Sequence, residues 1–348
     1  MKRSLLNRIS RIAPGLLGAF FLSLGGCKDK DQSGDWAGHG SPAPEPSAEV
    51  ATATPEVEGV KSTEALVTRD AGSEVADVRF VAYNVENWLT MDRYVDGQSR
   101  KGAPKPEKER QAITEVLVKA RPDILGVSEI GTEDDVRDLQ GYLERAGHPM
   151  PHFHLNRGSD PTRSLVLLSR FPIGKTLVHD DLSYRSNGRE YQMQRGILDA
   201  TVTTPVGDFR FLGVHLKSKR EVDDGDQADM RLHEAHLLRR EIDGIIKESP
   251  DARLVVYGDF NDTRQSPAIR AVRGSGRNDR SLAMVAIKDS RGEYWTHHWS
   301  YEDIYSRIDF VMISNPLKGS IDWDRCRILD DEAVTSASDH RPLLVILR

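Results

Sequence analysis

Six apolar runs in this chain adjoin side chains that can handle protons, metals or anions. Tyr83 leads into Asn84, Val127 into Glu129, Val214 into His215, Tyr257 into Asp259 and Asn261, and Ile308 into Asp309, while Ser338, Asp339 and His340 precede the last run. An Asp and an Asn two apart, as at Asp259 and Asn261, project from one face of an extended segment. One can take a proton or a metal while the other donates hydrogen bonds to an anion. On its own the Gly258 to Asn261 run is also a reasonable turn, since Gly, Asp and Asn are turn formers. Recurrence of polar groups at strand ends points instead to one shared crevice.

Those ends need a scaffold. Strands are expected at residues 78–83, 123–127, 164–168, 196–203, 209–214, 254–257, 308–313 and 343–347. Helices are expected at 106–120, with Pro106 near its start, at about 133–146, and at about 226–248, where Leu238, Ile242 and Ile245 have core spacing. No internal repeat is evident. The alternation fits a single α/β domain over residues 78–348.

The first 77 residues read differently. Lys2, Arg3, Arg8 and Arg11 precede an apolar run at 15–24, shorter than the roughly 20 residues of a membrane span. It closes on Leu24, Gly25, Gly26 and Cys27, which resembles a bacterial lipobox cut before a lipidated Cys27. Residues 1–27 are thus expected to be a lipoprotein signal peptide and 28–77, rich in Ala, Pro, Ser and Thr, a disordered tether. The domain would be exported and held by its lipid on a bacterial membrane, with no protein partner implied. Only one other cysteine, Cys326, exists, so core packing rather than disulfides must hold the domain. A net charge of −6 argues against a generic binder of nucleic-acid backbone but leaves room for a local cationic cleft.

Taken in order, Asn84, Glu129, His215, Gly258 to Asn261, Arg307 to Asp309 and Ser338 to His340 resemble the motif set of the endonuclease, exonuclease and phosphatase superfamily. The resemblance implies a four-layer α/β sandwich with two central mixed β-sheets flanked by helices and a site at one sheet edge. It also implies phosphoester hydrolysis with Mg2+ or Mn2+, one or two ions, held by Glu129 with Asn84 and Asp339 nearby. Oxygen ligands of this kind suit Mg2+, which keeps several waters. Asp259 and Asn261 would hold the attacking water and a phosphoryl oxygen, although Asp259 could instead bind a second metal. The family pattern pairs His340 with Asp309 and gives His215 the leaving-group role. Whether Asp259 or His340 is the base stays open. Glu86 departs from the common pattern and could be a further ligand or pin a neighbouring loop.

Arg163, Arg195, Lys217 and Arg307 are candidate phosphate contacts, because guanidinium and ammonium groups suit phosphoryl oxygens. His233, Glu234 and His236 lack the spacing of a zinc-binding pair and are expected on a helix face. His297 and His298, beside Trp295 and Trp299, could line a substrate rim. The expected activity is a metal-dependent phosphodiesterase, nuclease-like, acting on a phosphoester substrate. A phosphomonoesterase and a sphingomyelinase-like lipid phosphodiesterase are alternatives. A nuclease would want a cationic flank such as Arg185, Arg189, Arg195, Arg210, Lys219 and Arg220. A catalytically silent binding lipoprotein is the rival from another class, and such a protein would be expected to have lost one of the polar strand ends.

Overall fold

Apolar runs spaced by helices build two sheets that bury one face against each other and the other under helices. The computed structural model describes residues 77–348 except Asp96, Asp223, Asp224 and Arg277; the expected signal peptide and nearly all of the tether lie outside the described residues. The chain runs β1 (Val78–Trp88), a hairpin of β2 (Met91–Val95) and β3 (Gln98–Ala103), α1 (Glu107–Ala120), β4 (Ile124–Ile130) and α2 (Glu133–Arg145). Next come β5 (His152–Asn156), β6 (Ser164–Ser169), β7 (Ile173–Leu177), a hairpin of β8 (Ser183–Ser186) and β9 (Arg189–Gln192), β10 (Leu198–Thr204) and β11 (Gly207–His215). Then follow α3 (Gln227–Glu248), β12 (Leu254–Asp259), α4 (Pro267–Arg273), β13 (Ala283–Met284) and a hairpin of β14 (His297–Trp299) and β15 (Ile304–Ser306). The series closes with β16 (Asp309–Ile313), β17 (Arg327–Ile328), α5 (Val334–Ala337) and β18 (Leu343–Leu347).

One sheet has the order β17-β18-β1-β4-β6-β5 and the other β13-β16-β12-β11-β10-β7. Each is mixed: β1 is parallel to β4 and antiparallel to β18, and β11 is parallel to β12 and antiparallel to β10. Phe80, Phe211, Tyr257 and Val345 fill the space between the sheets. Leu238, Ile242 and Ile269 cover one outer face, and Ile113, Leu117 and Leu139 the other. The four-layer sandwich expected from the resemblance is therefore the fold observed. Parallel strands buried on both faces explain why β4 and β12 read as continuous apolar runs.

Tyr257 is the wedge beneath the site. Its ring lies where side chains at two glycines would otherwise be: a Cβ on Gly126 would sit 2.1 Å from Cε2, and one on Gly213 would sit 2.6 Å from the hydroxyl. Local sequence also sets helix ends. Asp226 accepts from the backbone N–H groups of Ala228 and Asp229 to cap α3, and Pro106 stands at the N-cap of α1. The strand expected to stop at Tyr83 continues to Trp88, with a bulge at Glu86 (φ 47°) and Asn87 (φ 61°) before Trp88 pairs with Ile130. The three hairpins and the edge strands β5, β7, β13 and β17 were not expected, because short polar strands take their order from their partners rather than from propensity.

Candidate active site

Register brings the catalytic types into line. His215 on β11 pairs with Asp259 on β12, and Asp259 pairs with Asp309 on β16, so three polar residues form one row across three adjacent strands. Paired residues in a sheet share a face. Gly258 permits this row: its φ is 135°, and a Cβ there would lie 1.9 Å from the Val214 carbonyl oxygen. In the facing sheet Asn84 pairs with Ser128, which places Glu129 beside it, with Glu129 itself in a left-handed conformation (φ 64°). Such strained backbone at a polar strand end accords with a site whose geometry the surroundings over-determine.

Asn84 joins the two sheets. Its Oδ1 accepts the Glu86 N–H at 3.0 Å, which turns its Nδ2 to donate to Glu129 Oε1 and Asp259 Oδ2, both at 3.2 Å. The same Nδ2 lies 3.4 Å from His340 Nε2. His340 Nδ1 meets Asp309 Oδ2 at 2.8 Å, and its Nε2 lies 3.7 Å from Asp259 and 3.9 Å from Asp339. His215 Nε2 lies 3.9 Å from Glu129 and 3.7 Å from Asp259, while its Nδ1 is buried with no hydrogen-bond partner. Asn84, His215, Asp259, Asp309 and His340 are all buried. Among the described residues, no other cluster gathers so many ionisable groups from separate strand ends.

Burial and neighbours drive the charges apart. Burial pushes the Asp259 carboxyl up, reinforced by Asp309, to about 7. Burial opposes a charge on His340, but Asp309, Asp339 and Asp259 outweigh it and raise its pKa well above the ordinary value. His215 goes the other way, lowered by burial and by Arg195 and His340. At neutral pH the site thus holds an imidazolium at His340 and a neutral imidazole at His215.

The donor set fits a divalent cation. Carboxylate oxygens of Asp259 and Asp309 around His340, and of Asp339 beside it, belong to two groups of polar atoms, those of each group lying within 4.8 Å of one another. Glu129 adds a carboxylate that faces amide N–H groups, an imidazole and one distant guanidinium, and it lies with Asp259 beside His215. Hard oxygen donors in surplus are what Mg2+ or Mn2+ takes.

Several expected site residues are also engaged within the protein. Asn84 turns its amide hydrogens to the Glu129 and Asp259 carboxylates and its oxygen to the Glu86 N–H, so it holds the two sheets together at the site. Asn261 commits an amide hydrogen to Leu216 O at 3.0 Å, and its N–H to Asp259 Oδ1 at 2.8 Å, so it ties two strand ends together. Among the four cations expected to meet phosphate, Arg163 stands 3.8 Å from Glu129 and is bonded to Asn87 Oδ1 at 2.8 Å, while Arg195 and Lys217 are near enough to His215 to lower its pKa. Arg195 is buried against Asp160 at 3.2 Å, Lys217 directs its ammonium into its own loop, and Arg307 donates to Ile287 O and lies over Phe310. The supposed cationic flank is dispersed too, since Arg210 pairs with Asp199 in the sheet. Of the two roles open to Glu86, it takes the pin: its Oε2 accepts the Asp339 N–H at 3.1 Å. His297 is part of the site, 3.7 Å from Asp339 and 4.7 Å in ring separation from His340, whereas His298 stacks on Tyr305. Asp339 sits on the exposed rim between His297 and His340.

Other supporting residues escaped a sequence reading. Glu234, on the helix expected for it, is buried and accepts the Lys217 N–H at 2.6 Å. Arg231, one turn earlier, donates to Lys217 O at 3.0 Å and pairs with Asp262 at 3.0 Å, so α3 grips the strand ends after both His215 and Asn261. Thr296 accepts the N–H groups of Ile308 and Asp309 through its hydroxyl, both at 3.1 Å, and Ser338 bridges Asn84 O to the His340 N–H. The i, i+3 spacing of Arg231 and Glu234 on one helix face was the available sign.

A four-layer sandwich with a buried Asp-His-Asp chain and a facing Asn and Glu is the architecture of a phosphoester hydrolase superfamily, and the chain belongs to the Endonuclease/Exonuclease/phosphatase family, whose model matches residues 95–340. Members of that family are hydrolases acting on phosphoesters. No curated protein matches the sequence. Among solved structures, an endonuclease/exonuclease/phosphatase from Bacteroides vulgatus is similar with a TM-score of 0.55 at 16% identity, over 78% of this chain and 99% of that one. Sphingomyelinase C from Streptomyces griseocarneus gives a TM-score of 0.53 at 14% identity, over 78% of this chain and 100% of that one. The human Nocturnin catalytic domain with bound sulfate gives a TM-score of 0.52 at 17% identity, over 78% and 94%. At these identities the likeness is one of fold.

Proposed function

We propose that the protein is a divalent-metal-dependent phosphodiesterase, exported and anchored to a bacterial membrane by a lipidated Cys27. The observation that carries the activity is the buried chain from Asn84 through Asp259 and His340 to Asp309, with Glu129 and His215 at its side. Asp259, with its pKa near neutrality, is placed to take a proton from an attacking water. His340, already charged and fixed by Asp309, presents Nε2 to a phosphoryl oxygen as that oxygen gains charge. His215 turns its Nε2 edge to the same space and, being neutral, stabilises a departing oxygen by hydrogen bonding rather than by giving up a proton. Mg2+ or Mn2+, one or two ions held chiefly by Glu129, would neutralise phosphoryl charge.

A diester is favoured over a monoester by the shortage of open cations. Arg195 and Lys217 act on His215 but are engaged by Asp160 and by their own loop, which leaves Arg163 beside Glu129, and a diester brings one negative charge where a monoester brings up to two. A lipid phosphodiesterase is the second reading. The β14–β15 hairpin beside His340 exposes Trp299, Tyr301 and Tyr305, 49%, 70% and 52% accessible, which would suit a lipid interface. The Leu24 to Cys27 run supports the anchor, and the Ala- and Pro-rich stretch after it supports a tether.

The test is hydrolysis by the detergent-extracted full chain of bis(p-nitrophenyl) phosphate, p-nitrophenyl phosphate, DNA, RNA and sphingomyelin vesicles, with Mg2+, Mn2+ or EDTA. Metal-dependent cleavage of diesters that Asp259→Asn abolishes is expected. No cleavage of any diester with either metal would overturn the reading, and labelling of the chain by radioactive palmitate that survives Cys27→Ser would overturn the anchor.

A further inference from the structure

Outside the catalytic cluster, unpaired positive charge gathers between α3 and α4. A shallow concavity of about 760 Å³ lies there, with His236, Arg270 and Arg273 on its walls and Leu232, Pro267 and Ala271 also lining it. Among the described residues, no carboxylate lines it. α4 has no acid in its first turn and two arginines in its last, and Arg273 Nε is buried without a hydrogen-bond partner. By contrast, the neighbouring Arg239 is neutralised by Asp243 and donates to Val272 O. In a chain of net charge −6, such a carboxylate-free arginine pair is a local exception.

Both helices that wall the concavity start near the catalytic centre. α3 carries the Arg231 clamp on Asp262 in its second turn, and His236 stands five residues further on, a rise of about 7.5 Å. α4 begins a few residues after Asn261, and exposed Arg264 occupies the intervening loop, close enough to Arg307 for the two guanidinium groups to repel. Unpaired cations therefore continue from the loop after Asn261 along the outside of α4. Arg270 and Arg273 stand three apart on one helix face, so both can meet the same or successive phosphates.

We propose that the α3–α4 concavity is a second phosphodiester-binding site that holds the backbone of a polynucleotide whose scissile phosphate lies at Asp259 and His340. The proposal rests on the phosphodiesterase reading above and names its substrate class. Arginines bind phosphate in a bidentate fashion, and the apolar part of the lining leaves a surface for sugar and base. The size suits a nucleotide, since ligand sites span about 300–1,000 Å³. A lipid surface fits less well here: exposed Trp299, Tyr301 and Tyr305 lie on the β14–β15 hairpin, Tyr94, Tyr294 and Trp323 lie elsewhere, and no aromatic lines the concavity.

The experiment compares the wild-type full chain with Arg270→Ala/Arg273→Ala. Its readouts are single-stranded DNA and bis(p-nitrophenyl) phosphate as substrates, fluorescence anisotropy with labelled DNA, and binding to anionic phosphatidylglycerol vesicles. The expected result is a roughly tenfold loss of kcat/KM on DNA, carried by KM, with cleavage of the small diester unchanged. For two lost contacts to a single strand, the slope of log affinity against log salt should fall by about 1.4. Equal kinetics and anisotropy on DNA for both proteins would overturn the proposal, as would an equal loss on both substrates. A double-variant defect confined to vesicles would assign the concavity to lipid and overturn it as well. If no diester at all is cleaved, the phosphodiesterase reading fails, and the anisotropy comparison still decides whether the concavity binds polynucleotide.

Discussion

Substituting Glu234 by Gln should abolish a specific pH dependence of stability. Glu234 is buried on α3, its Oε2 bonded to the Lys217 N–H at 2.6 Å and its Oε1 without a partner. Burial raises its carboxyl from 4.5 to about 7, against the opposing pull of the Lys217 N–H and Arg195. Folding therefore favours the protonated acid. Below the ordinary carboxylate range both folded and unfolded chains hold the proton, and the stabilising contribution is complete. As pH rises the unfolded chain releases its proton first, so stability declines until the folded carboxyl also ionises at about 7. At about 1.4 kcal/mol per pH unit the whole effect is roughly 3 kcal/mol. Gln at this position does not titrate and keeps an acceptor for the Lys217 N–H. Urea unfolding of both full-length proteins at about pH 5 and about pH 8 should show the wild type losing roughly 3 kcal/mol more than Glu234→Gln across that interval. Near neutral pH this amounts to a melting-temperature difference of roughly 6–12 °C. Parallel stability curves for the two proteins would refute the reasoning, since they would show that the buried carboxyl binds its proton no more tightly than in the unfolded chain.

Four further outcomes are expected. His215→Ala should lower kcat on a small diester by roughly 10²- to 10⁴-fold with little change in melting temperature, measured by initial rates and calorimetry. Lys105→Met removes a buried ammonium that donates to Glu86 O and pairs with Glu109, both at 2.8 Å, and should cost about 3–5 kcal/mol in urea unfolding. Gly126→Ala drives a methyl group into the Tyr257 ring and should destabilise by about 1–3 kcal/mol or more, and the same change made in a Tyr257→Ala background should cost less. His179 meets Asp199 at 2.9 Å and Glu241 at 3.1 Å, and these carboxylates raise its pKa against burial. Its contribution is complete below about pH 6.5 and is lost as pH rises through the folded value, so His179→Asn should flatten that part of the unfolding profile.

Much of the catalytic row was legible because buried strands must be apolar while their ends need not be. His215, Asp259 and Asp309 stood out as polar groups at the ends of such runs, and the register then placed them side by side. The order of elements was legible for the same reason, along with the helices that carry core spacing. The hairpins were not, because β2, β3, β8 and β9 have mostly exposed or half-buried residues and no apolar run to mark them. What the cations near the motifs already hold was not legible, because charge type says nothing of which carbonyl or carboxylate is within reach. Lys217 turned inward, Arg195 found Asp160, and Arg307 found Ile287 O.

Sequence by itself determined the kinds of group present and the strands that end on them, since side-chain chemistry and apolar periodicity are local properties. It also carried the resemblance that foretold the two-sheet sandwich. Only the tertiary structure decided which groups neutralise one another. Asn84 and Asp259 are brought within 3.2 Å across the two sheets, and Asp309 reaches His340 from a different strand. Those distances, together with burial, split the two histidines into one charged and one neutral and raise Asp259 toward neutrality. The division has a physical cause: a residue's intrinsic pKa and hydropathy belong to its own atoms, whereas its working charge depends on which distant residues packing places beside it and how much water that packing removes.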